Sequence, residues 1–552
     1  MSAVAFIDPN RHEKILRDAL KKFFGYNSFR PHQLEICLNI LQNKDTFVVM
    51  STGSGKSLTF QLPAIALHDL GYRVCTIVIS PLISLIEDQV LGLRALGIAA
   101  GAIGGNVSNE DELRASNGEF VVLYATPEKI DHWKEGLKAL AKTCKIICVA
   151  IDESHCVSEW GHDFRPVYRK ISEIRSTLSS ATPTVALTAT ATTSVQADII
   201  SNLKLYQPMV IKTTFNRPNL KYFVSNRSGK LDLLILLQAL RKEQLADIAR
   251  ISGIDGEAHD VLFTPTLVYV NTKKDAEALC ESVNTSSLKV FKSIKVAYYH
   301  AGMTPEERTA VHKDFLADRT QVVVATLAFG LGIHKPDIRI VIHFGMTKSV
   351  ESYYQQTGRA GRDGHPARCY LLYSRQDLAK CFNIATSSSM SAAQTADNSN
   401  GNAFNFIAHT ATQLHQMNEY AVGTCGCRRK FLLEYFGEAL RRPRSPGGAE
   451  TAAHSENCCD LCDYALANNL NDNTGGGSAT DPSSRSYTCG TAAIDLAVEA
   501  RLLLSAIIET GECHGLGTPI SILVGSHEKT LQRIHNFTQL PAFNAGNFHS
   551  RV

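Results

Sequence analysis

The stretch TFVVMSTGSGKS at residues 46–57 decides the fold prediction, because a β-rich run leads into a glycine-rich turn and then into the helical pattern LTFQLPAIAL. A strand, a turn and a helix in this order surround a phosphate with backbone N–H groups and a helix N-terminus. We expect Lys56 to reach the β and γ phosphates of a nucleotide and Ser57 to reach Mg²⁺. The other loop residues assigned to this site are Thr52, Gly53, Ser54 and Gly55. The alternative is a tight turn without a ligand.

A second motif argues against an empty turn. The segment IICVAIDESH at 146–155 places Asp152 and Glu153 at the end of an apolar run. The carboxyl end of a parallel strand faces the crevice in which nucleotides bind. We therefore expect Asp152 to hold Mg²⁺ and Glu153 to orient or deprotonate the attacking water, with His155 linking the site to neighbouring loops.

Two series of short β-rich runs separated by helical patterns predict two α/β lobes, each with a parallel sheet and crossover helices. The first series comprises 46–50, 74–79, 120–124, 146–151 and 184–187. The second series comprises 266–270, 295–298, 321–325, 338–343 and 369–373. Two similar lobes in tandem imply a cleft between them.

The segment QQTGRAGRDG at 355–364 supplies positive charge from the second lobe. Arg359 and Arg362 are three residues apart and would share one side of a helical turn if the segment is helical. A guanidinium from one lobe, inserted at phosphate bound to the other, stabilises the transition state and makes hydrolysis depend on lobe closure. We expect Arg362 to be this finger and Arg359 to support it. The alternative is a solvated basic turn.

Composition restricts the class of protein. The chain has 552 residues, of which 44% are hydrophobic and 20% charged, and it carries a net charge of +3. It contains no apolar run of the length that a membrane span needs, and MSAVAFIDPNRHEKIL at its start lacks the pattern of a signal peptide. We therefore expect an intracellular protein in which most of the 15 cysteines are thiols or metal ligands. Nucleic-acid binding would have to come from local patches.

These residues resemble superfamily 2 helicases over both lobes, and several resemble the RecQ family of DNA helicases in particular. The segments that carry the resemblance are FGYNSFRPHQ at 24–33, SPLISLIEDQV at 80–90, YATPE at 124–128, TATA at 188–191, LVYVNTKKDAEAL at 267–279, YYHAGM at 298–303 and the stretch from VVATLAFGLGIHKPD to GRAGRDG at 323–364. The resemblance implies that Tyr26 and Arg30 sandwich the adenine of ATP and that Gln33 reads its edge. It also implies two tandem RecA-like lobes, a helical zinc-binding subdomain and a partial winged helix.

The most specific resemblance is SEWGHDFRPVY at 158–168, which is similar to the aromatic-rich loop of RecQ proteins. In that family, the loop links single-strand binding to ATP hydrolysis. Aromatic rings stack on bases of any sequence, while arginine and histidine contact phosphate. The expected nucleic-acid-binding residues are Trp160, His162, Phe164, Arg165 and Tyr168. The alternative is a packed loop.

Three residues depart from the family pattern. His334 and Gln356 stand where many relatives carry an acidic residue, and Ser154 replaces the alanine of the commoner DEAH form. We expect none of these changes to abolish activity.

Cysteines after the second lobe predict a structural Zn²⁺ site. CGCRRKFLLEYFGE at 425–438 is followed by ENCCDLCDY at 456–464, and a closed set of four thiolates stabilises a fold rather than catalysing a reaction. The resemblance maps Cys427, Cys459 and Cys462 onto this site. Cys458 is our choice for the fourth ligand, and Cys425 and His454 are the alternatives. Arg428, Arg429 and Lys430 either contact phosphate or form an exposed helix face.

The predicted organisation follows from these motifs and from composition. We expect lobe 1 at 1–210, lobe 2 at 211–383, a zinc-binding subdomain at 384–465, a linker at 466–487 and a truncated winged helix at 488–552. Stretches poor in bulky apolar residues predict a mobile insertion at 386–403 and a further break at 441–457, and 243–260 is a weaker candidate for a surface insertion. The chain ends at FNAGNFHSRV, before the helix and the β-hairpin wing that the resemblance implies.

The resemblance implies an ATP-dependent 3′ to 5′ DNA helicase in repair and recombination, which uses ATP, Mg²⁺ and structural Zn²⁺. The expected partners are single-stranded and duplex DNA together with repair or recombination proteins, and we expect no membrane contact. A DNA substrate implies nuclear residence in a eukaryote, although RRPR at 441–444 is too short for an import signal. The alternatives are a translocase that does not unwind DNA, an RNA helicase, or a scaffold that binds ATP without turnover.

Overall fold

The computed structural model describes residues 9–104, 109–158, 165–178, 181–252, 262–286, 291, 294–329, 335–393, 400–423, 426–439 and 458–472. The chain divides into two compact units, Met1–Ser478 and Ala479–Val552, and every described residue lies in the first. Among the described helices, none combines the length and the hydropathy that crossing a bilayer requires.

Lobe 1 is built on a parallel sheet of seven strands in the order β3-β4-β2-β5-β6-β1-β7. The strands are β1 Thr46–Val49, β2 Val74–Ile79, β3 Ala100–Ile103, β4 Val122–Ala125, β5 Lys145–Ile151, β6 Thr184–Thr188 and β7 Met209–Lys212. The helices are α1 Pro9–Phe24, α2 Gln33–Leu41, α3 Lys56–Asp69, α4 Ile83–Ala95, α5 Asn109–Ser116, α6 Pro127–His132, α7 Lys134–Thr143, α8 Ile171–Thr177 and α9 Thr193–Asn202.

Lobe 2 is built on a parallel sheet of six strands in the order β10-β11-β9-β12-β13-β8. The strands are β8 Leu220–Asn226, β9 Thr266–Val270, β10 Val296–Tyr299, β11 Val322–Ala325, β12 Ile340–Phe344 and β13 Ala367–Tyr373. The helices of the lobe and of the subdomain that follows are α10 Leu231–Ser252, α11 Lys273–Asn284, α12 Pro305–Leu316, α13 Val350–Thr357, α14 Gln376–Ala393, α15 Asn400–Val422, α16 Arg428–Tyr435 and α17 Asp460–Asp472.

Both sheets are buried on both faces, which explains the continuous apolar runs in the sequence. In β1, Phe47 and Val49 pack into one core cluster, whereas Val48 packs into another on the opposite face of the sheet. In β11, Val323 and Val322 divide in the same way between the two clusters of lobe 2. The predicted α/β architecture of both lobes is therefore confirmed for the described residues.

The sequence prediction missed β3, β7 and β8. Strand β3 has the sequence AGAI. Only glycine fits at position 101, because a Cβ there would lie 2.5 Å from the ring of Phe120. Strand β7 is short and forms the exposed edge of the first sheet. The predicted boundary between residues 210 and 211 falls inside β7, and the second sheet begins at Leu220.

The expected mobile insertion at 386–403 is mostly helical instead. Helix α14 continues to Ala393 and α15 begins at Asn400, while 394–399 lie outside the described residues. A helix needs backbone geometry rather than bulky side chains, and alanine is the strongest helix former. Part of the weaker candidate at 243–260 lies in α10. The predicted start of the linker at residue 466 is wrong, because residues 466–472 belong to α17. The stretch at 441–457, the rest of the predicted linker at 473–487 and the predicted winged helix lie outside the described residues.

Candidate nucleotide site and zinc-binding module

The phosphate loop connects β1 to α3, as the sequence predicted. Gly53 and Gly55 both adopt a left-handed conformation with φ of 82°, which favours glycine. A Cβ on Gly55 would lie 2.4 Å from Nε2 of Gln33. The ammonium group of Lys56 donates a hydrogen bond of 2.8 Å to the carbonyl of Met50. Burial lowers the pKa of Lys56, while the negative charges of Glu153 and Asp152 oppose that shift.

The two acidic residues follow β5 directly and lie beside Lys56. Burial, and then the charge of Glu153, raises the pKa of Asp152 to about 7, while the charge of Lys56 opposes this. Glu153 has a φ of 49°, a left-handed conformation that costs a non-glycine residue free energy and often marks a functional site. The His155 ring lies 3.3 Å from the Glu153 carboxylate and 3.1 Å from the Thr188 hydroxyl, so it links the site to β6.

This donor set fits Mg²⁺. A carboxylate and a hydroxyl are the oxygen ligands that Mg²⁺ prefers, and Asp152 and Ser57 both line the same cleft. A divalent cation beside Asp152 would favour the charged form of this carboxylate, which burial and the charge of Glu153 now disfavour. Asp152 and Ser57 are therefore the residues that would hold the ion.

The two arginines of lobe 2 lie in the turn that follows α13. This helix ends at Thr357, so Arg359 and Arg362 belong to a turn rather than to a continuing helix. The Thr52 hydroxyl of the phosphate loop donates a hydrogen bond of 3.1 Å to the carbonyl of Gly358, and a Cβ on Gly53 would lie 3.0 Å from Cγ of Arg362. The turn is therefore packed directly against the phosphate loop of lobe 1.

The cleft between the lobes has a volume of about 440 Å³. It is lined by residues from both lobes, among them Tyr26, Arg30, Gln33, Thr52, Gly53, Gly55, Lys56, Ser57, Asp152, Glu153, Gln355, Arg359 and Arg362. Burial, and then the positive charge of Arg359, lowers the pKa of Arg362 to about 9. Converging cations of this kind favour the binding of a polyanion such as a triphosphate.

The predicted adenine-recognition residues lie at the mouth of the cleft. Tyr26 is 57% exposed, which leaves its ring available for stacking. The guanidinium of Arg30 donates a hydrogen bond to the carbonyl of Gly53. Gln33 donates a hydrogen bond of 3.0 Å to the carbonyl of Gly55 and accepts one of 2.9 Å from the backbone N–H of Arg30, so it also shapes the phosphate loop. Adenine recognition by these residues stays a prediction.

The structure describes the first residue and the last four residues of the aromatic-rich loop. Trp160, His162 and Phe164 lie outside the described residues. Arg165 donates a hydrogen bond of 2.9 Å to the carbonyl of Pro81. The prediction for Tyr168 is corrected, because its side chain is fully buried in the lobe 1 core and cannot stack on a base. Its hydroxyl donates a hydrogen bond of 3.3 Å to the carbonyl of Asp152, so Tyr168 supports the catalytic segment.

The four predicted cysteines come together. The Sγ atoms of Cys427, Cys458, Cys459 and Cys462 all lie within 4.8 Å of one another. The distance from Cys427 to Cys458 is 3.6 Å and that from Cys459 to Cys462 is 3.5 Å. Zinc–sulfur bonds of about 2.3 Å place tetrahedral sulfurs about 3.8 Å apart, so this set fits Zn²⁺. The alternative ligands Cys425 and His454 lie outside the described residues.

The basic residues that begin α16 are mostly buried. Arg428 pairs with Asp460, and Arg429 donates to the sulfur of Cys458 at 3.3 Å, so neither forms the exposed face that was one of the two interpretations. Lys430 is the exception, since its side chain is about half exposed and lies 3.6 Å from Glu434. The hydrogen bond from Arg429 orients the sulfur of Cys458 and thereby supports a metal site.

Sequence reasoning missed the residues behind the arginine turn. Arg217 and Asn219 donate hydrogen bonds to backbone carbonyls of this turn. Their segment, FNRPNL at 215–220, lies between the two series of predicted strands. This position was the only feature of the sequence that could have indicated a role for the segment.

Comparison with known proteins agrees with this architecture. Family models match four segments: DEAD/DEAH box helicase at 30–199, helicase conserved C-terminal domain at 257–364, RecQ zinc-binding at 376–463 and RQC domain at 491–552. The ATP-dependent DNA helicase RecQ of Haemophilus influenzae is 34% identical over 537 residues, covering 96% of this chain and 73% of that protein. The chain belongs to the RecQ family of superfamily 2 helicases. The family predicted from the sequence is therefore confirmed.

Other RecQ-family members are considerably longer than this chain. The ATP-dependent helicase wrn-1 of Caenorhabditis elegans is 35% identical over 96% of this chain, which spans 44% of that relative. Solved structures support the two-lobed fold alone. The helicase Lhr of Mycobacterium smegmatis, bound to ssDNA and AMP-PNP, superposes with a TM-score of 0.51 at 18% identity, over 77% of this chain and 60% of that one. The DEAD-box helicase Mss116 gives a TM-score of 0.54 at 17% identity, over 73% and 89%.

Proposed function

We propose that this RecQ-family helicase couples ATP hydrolysis to 3′ to 5′ movement along single-stranded DNA and to the unwinding of duplex DNA. One observation carries the proposal: Lys56, Asp152 and Glu153 of lobe 1 and the arginines of lobe 2 line a single cleft. A site divided between two lobes can be completed only when the lobes close, so hydrolysis is coupled to motion.

The residues of lobe 1 bind and activate the nucleotide. Lys56 exchanges the carbonyl of Met50 for phosphate oxygens, because its ammonium group already lies within the phosphate loop. Asp152 and Ser57 would hold Mg²⁺, which neutralises phosphate charge when bound. Glu153 orients the attacking water and accepts its proton, and His155 restrains the Glu153 carboxylate from the side of β6.

The residues of lobe 2 stabilise the transition state. Arg362 and Arg359 reach the cleft from the turn after α13 and place positive charge where charge develops on the transferred phosphoryl group. The contact between Thr52 and Gly358 sets the distance between the lobes in the closed state. Release of this contact would open the cleft and allow the lobes to advance along a strand.

The zinc-binding module has a structural role in this proposal. Cys427, Cys458, Cys459 and Cys462 would hold Zn²⁺, which would join the N-terminus of α16 to the first turn of α17 and the two residues before it. All four cysteines are buried, so an ion held by them would be closed to substrate. The proposed wider roles are repair and recombination of DNA, with nuclear residence in a eukaryotic cell.

The decisive experiment measures ATP hydrolysis without nucleic acid, with single-stranded DNA and with single-stranded RNA, beside unwinding of duplexes with 3′ or 5′ tails. We expect stimulation by DNA and unwinding of the 3′-tailed duplex. Hydrolysis that is indifferent to DNA would contradict the proposal. Stimulation by DNA without unwinding would favour the translocase alternative, and stronger stimulation by RNA would favour an RNA helicase.

The matched variant for this experiment is Lys56→Ala. Removing one charge-stabilising donor from a phosphate site should lower kcat about 10²–10³-fold. Lys129→Ala is the control, because Lys129 pairs with Glu112 on lobe 1 and is not among the described residues that line the cleft. Wild-type turnover by the Lys56→Ala protein would refute the assignment of the phosphate site.

A further inference from the structure

Arg217 binds the back of the arginine turn. It lies in the segment that connects β7 to β8, and its guanidinium donates hydrogen bonds of 2.9 Å to the carbonyls of both Ala360 and Gly361. A third, longer contact of 3.4 Å reaches the carbonyl of Gly358. Arg217 is not among the described residues that line the cleft. It therefore contacts the segment that carries the catalytic arginines without facing the nucleotide itself.

The turn needs support of this kind. Helix α13 ends at Thr357, so the carbonyls that Arg217 binds lie beyond the hydrogen-bonding pattern of the helix, and a positive charge at this end also interacts favourably with the helix dipole. Gly361 has a left-handed φ of 55°, and a Cβ there would lie 2.5 Å from the amide of Asn219. That amide donates a hydrogen bond of 2.9 Å to the carbonyl of Gly361. The turn is consequently held by side chains from a segment 141 residues or more away.

Arg217 is itself fixed by the zinc-binding module. Arg429 of α16 is 7% exposed, and its guanidinium donates hydrogen bonds to the backbone carbonyls of Arg217 at 2.5 Å and Leu220 at 2.6 Å. Its Nε donates to Cys458 Sγ at 3.3 Å. A continuous series of hydrogen bonds therefore runs from a cysteine sulfur through Arg429 and the backbone at Arg217 to the arginine turn.

We propose that Arg217 is a positioning residue that holds Arg359 and Arg362 against the phosphate loop for ATP hydrolysis. The proposal rests on the proposed function, because it assigns Arg217 a part in the same reaction. Arg217 gains its effect by fixing backbone carbonyls, so its charge alone is not sufficient. A lysine carries the charge as a single compact donor group and cannot reproduce the planar fork of a guanidinium.

The test compares Arg217→Met with wild type and with the control Arg368→Met. Arg368 lies on β13 and pairs with Glu243 at the surface, away from the cleft. A displacement of about 1 Å in a catalytic group can reduce turnover about 10²-fold, so we expect a loss of this order in the DNA-stimulated kcat of Arg217→Met. We expect the KM for ATP and the affinity for ADP to stay close to wild type, and Arg368→Met to behave as wild type.

A second measurement separates positioning from a general structural role. Fluorescently labelled ADP is titrated with and without aluminium fluoride, which mimics the transferred phosphoryl group. We expect Arg217→Met to keep its affinity for ADP and to lose the added affinity that aluminium fluoride confers, because the arginine turn acts on the transition state. Equal losses of both affinities would overturn the proposal, since they would indicate a damaged fold.

The remaining outcomes are also decisive. Wild-type kcat in Arg217→Met, with an active wild-type enzyme, would overturn the positioning role and leave the proposed function intact. A wild-type protein without DNA-stimulated hydrolysis would instead contradict the proposed function. If Arg217→Met loses zinc or unfolds, Arg217→Lys decides: reduced kcat with retained ADP affinity supports the proposal, and wild-type kcat refutes it.

Discussion

His343 makes the stability of lobe 2 sensitive to acid. It lies in β12, it is buried, and its ring stacks against Tyr269 at 5.4 Å and lies 4.8 Å from the ring of Tyr353. Its Nε2 lies 2.9 Å from Oε1 of Gln356 and donates a hydrogen bond to it in the neutral ring. Burial lowers the pKa of His343 to about 4, although the hydrogen bond with Gln356 opposes this. We therefore expect acid to destabilise the folded protein at pH values that are still too high to protonate this ring in the folded state.

The sign and size of this effect on the free energy of unfolding follow from the linkage between proton binding and folding. The pKa of histidine in an unfolded chain is about 6.5. Above that pH neither state binds a proton at this ring, so the full stability is present. As the pH falls below about 6.5 the unfolded state takes up the proton and the folded state does not. With a folded pKa of about 4, the contribution to the free energy of unfolding falls by about 1.4 kcal/mol at pH 5.5 and by about 2.5 kcal/mol at pH 4.5.

The perturbation is His343→Gln, which keeps a donor toward Gln356 but removes the titrating group. Urea unfolding of both proteins at pH 7.5, 6.5, 5.5 and 4.5 gives the difference in their pH dependence, at intervals chosen around the unfolded pKa of about 6.5. The lost ring packing costs the variant the same free energy at every pH and cancels, as does proton-driven loss of zinc. We expect the variant to lose less stability than wild type on acidification.

The control is His132→Gln, which removes an exposed histidine of α6 and should keep the wild-type pH dependence. Histidine-selective NMR of the wild type, with the signal of His343 identified by its absence in the variant, measures the pKa directly. Parallel pH profiles for wild type and His343→Gln would refute the argument. So would a His343 signal that titrates near the ordinary value of about 6.5.

Two further predictions concern the catalytic carboxylate and the zinc-binding module. Glu153→Gln should lower kcat about 10²–10⁴-fold while ATP still binds, because a general base is lost and the groups that bind ATP stay. Rapid-mixing kinetics measure the rate of hydrolysis, and titration with ATP measures the binding. Equal losses of binding and turnover would contradict this role. Cys462→Ser should reduce zinc content well below one ion per chain and lower the urea midpoint, because metal binding contributes to folding. Full zinc content in Cys462→Ser, measured by elemental analysis, would show that the ion has other ligands.

The sequence was sufficient for the nucleotide site because its parts are local motifs at strand ends. Lys56 follows β1 and Asp152 follows β5, and the carboxyl ends of parallel strands meet at one edge of a sheet. Each motif could therefore be placed once the strands were recognised. Arg362 was also placed correctly in the cleft, although the turn that carries it is not a continuation of α13.

The supporting residues could not be predicted in this way. Arg217 binds carbonyls of the backbone, and a carbonyl carries no signal of residue type in the sequence. Arg429 looked like part of a solvated or phosphate-binding face because its neighbours in the sequence are basic. Tyr168 belongs to an aromatic stretch, and composition alone does not separate a ring that stacks on bases from one that fills the core.

Hydrogen bonds hold the segment between the lobes on either side of Thr214. The backbone N–H of Thr213 donates to the carbonyl of Val49 in lobe 1 at 2.9 Å. The backbone N–H of Phe215 donates to the carboxylate of Glu438 at 2.6 Å, just after α16, and its carbonyl accepts a hydrogen bond of 2.7 Å from the hydroxyl of Tyr354. The backbone is therefore hydrogen-bonded to lobe 1 at Thr213 and to lobe 2 and the zinc-binding module at Phe215, two residues later.

The zinc-binding module supports the segment that joins the two lobes. The ring of Phe436 stacks on Phe215 at 4.6 Å, and Arg429 donates hydrogen bonds to the carbonyls of Arg217 and Leu220, so the module holds the segment from Phe215 to Leu220 in place. Phe215, Tyr354 and Phe436 also pack into the core cluster of lobe 1, so this segment is held from both sides. Because the same segment supports the arginine turn, we expect any displacement of the segment relative to lobe 1 to shift the arginines away from the phosphate loop.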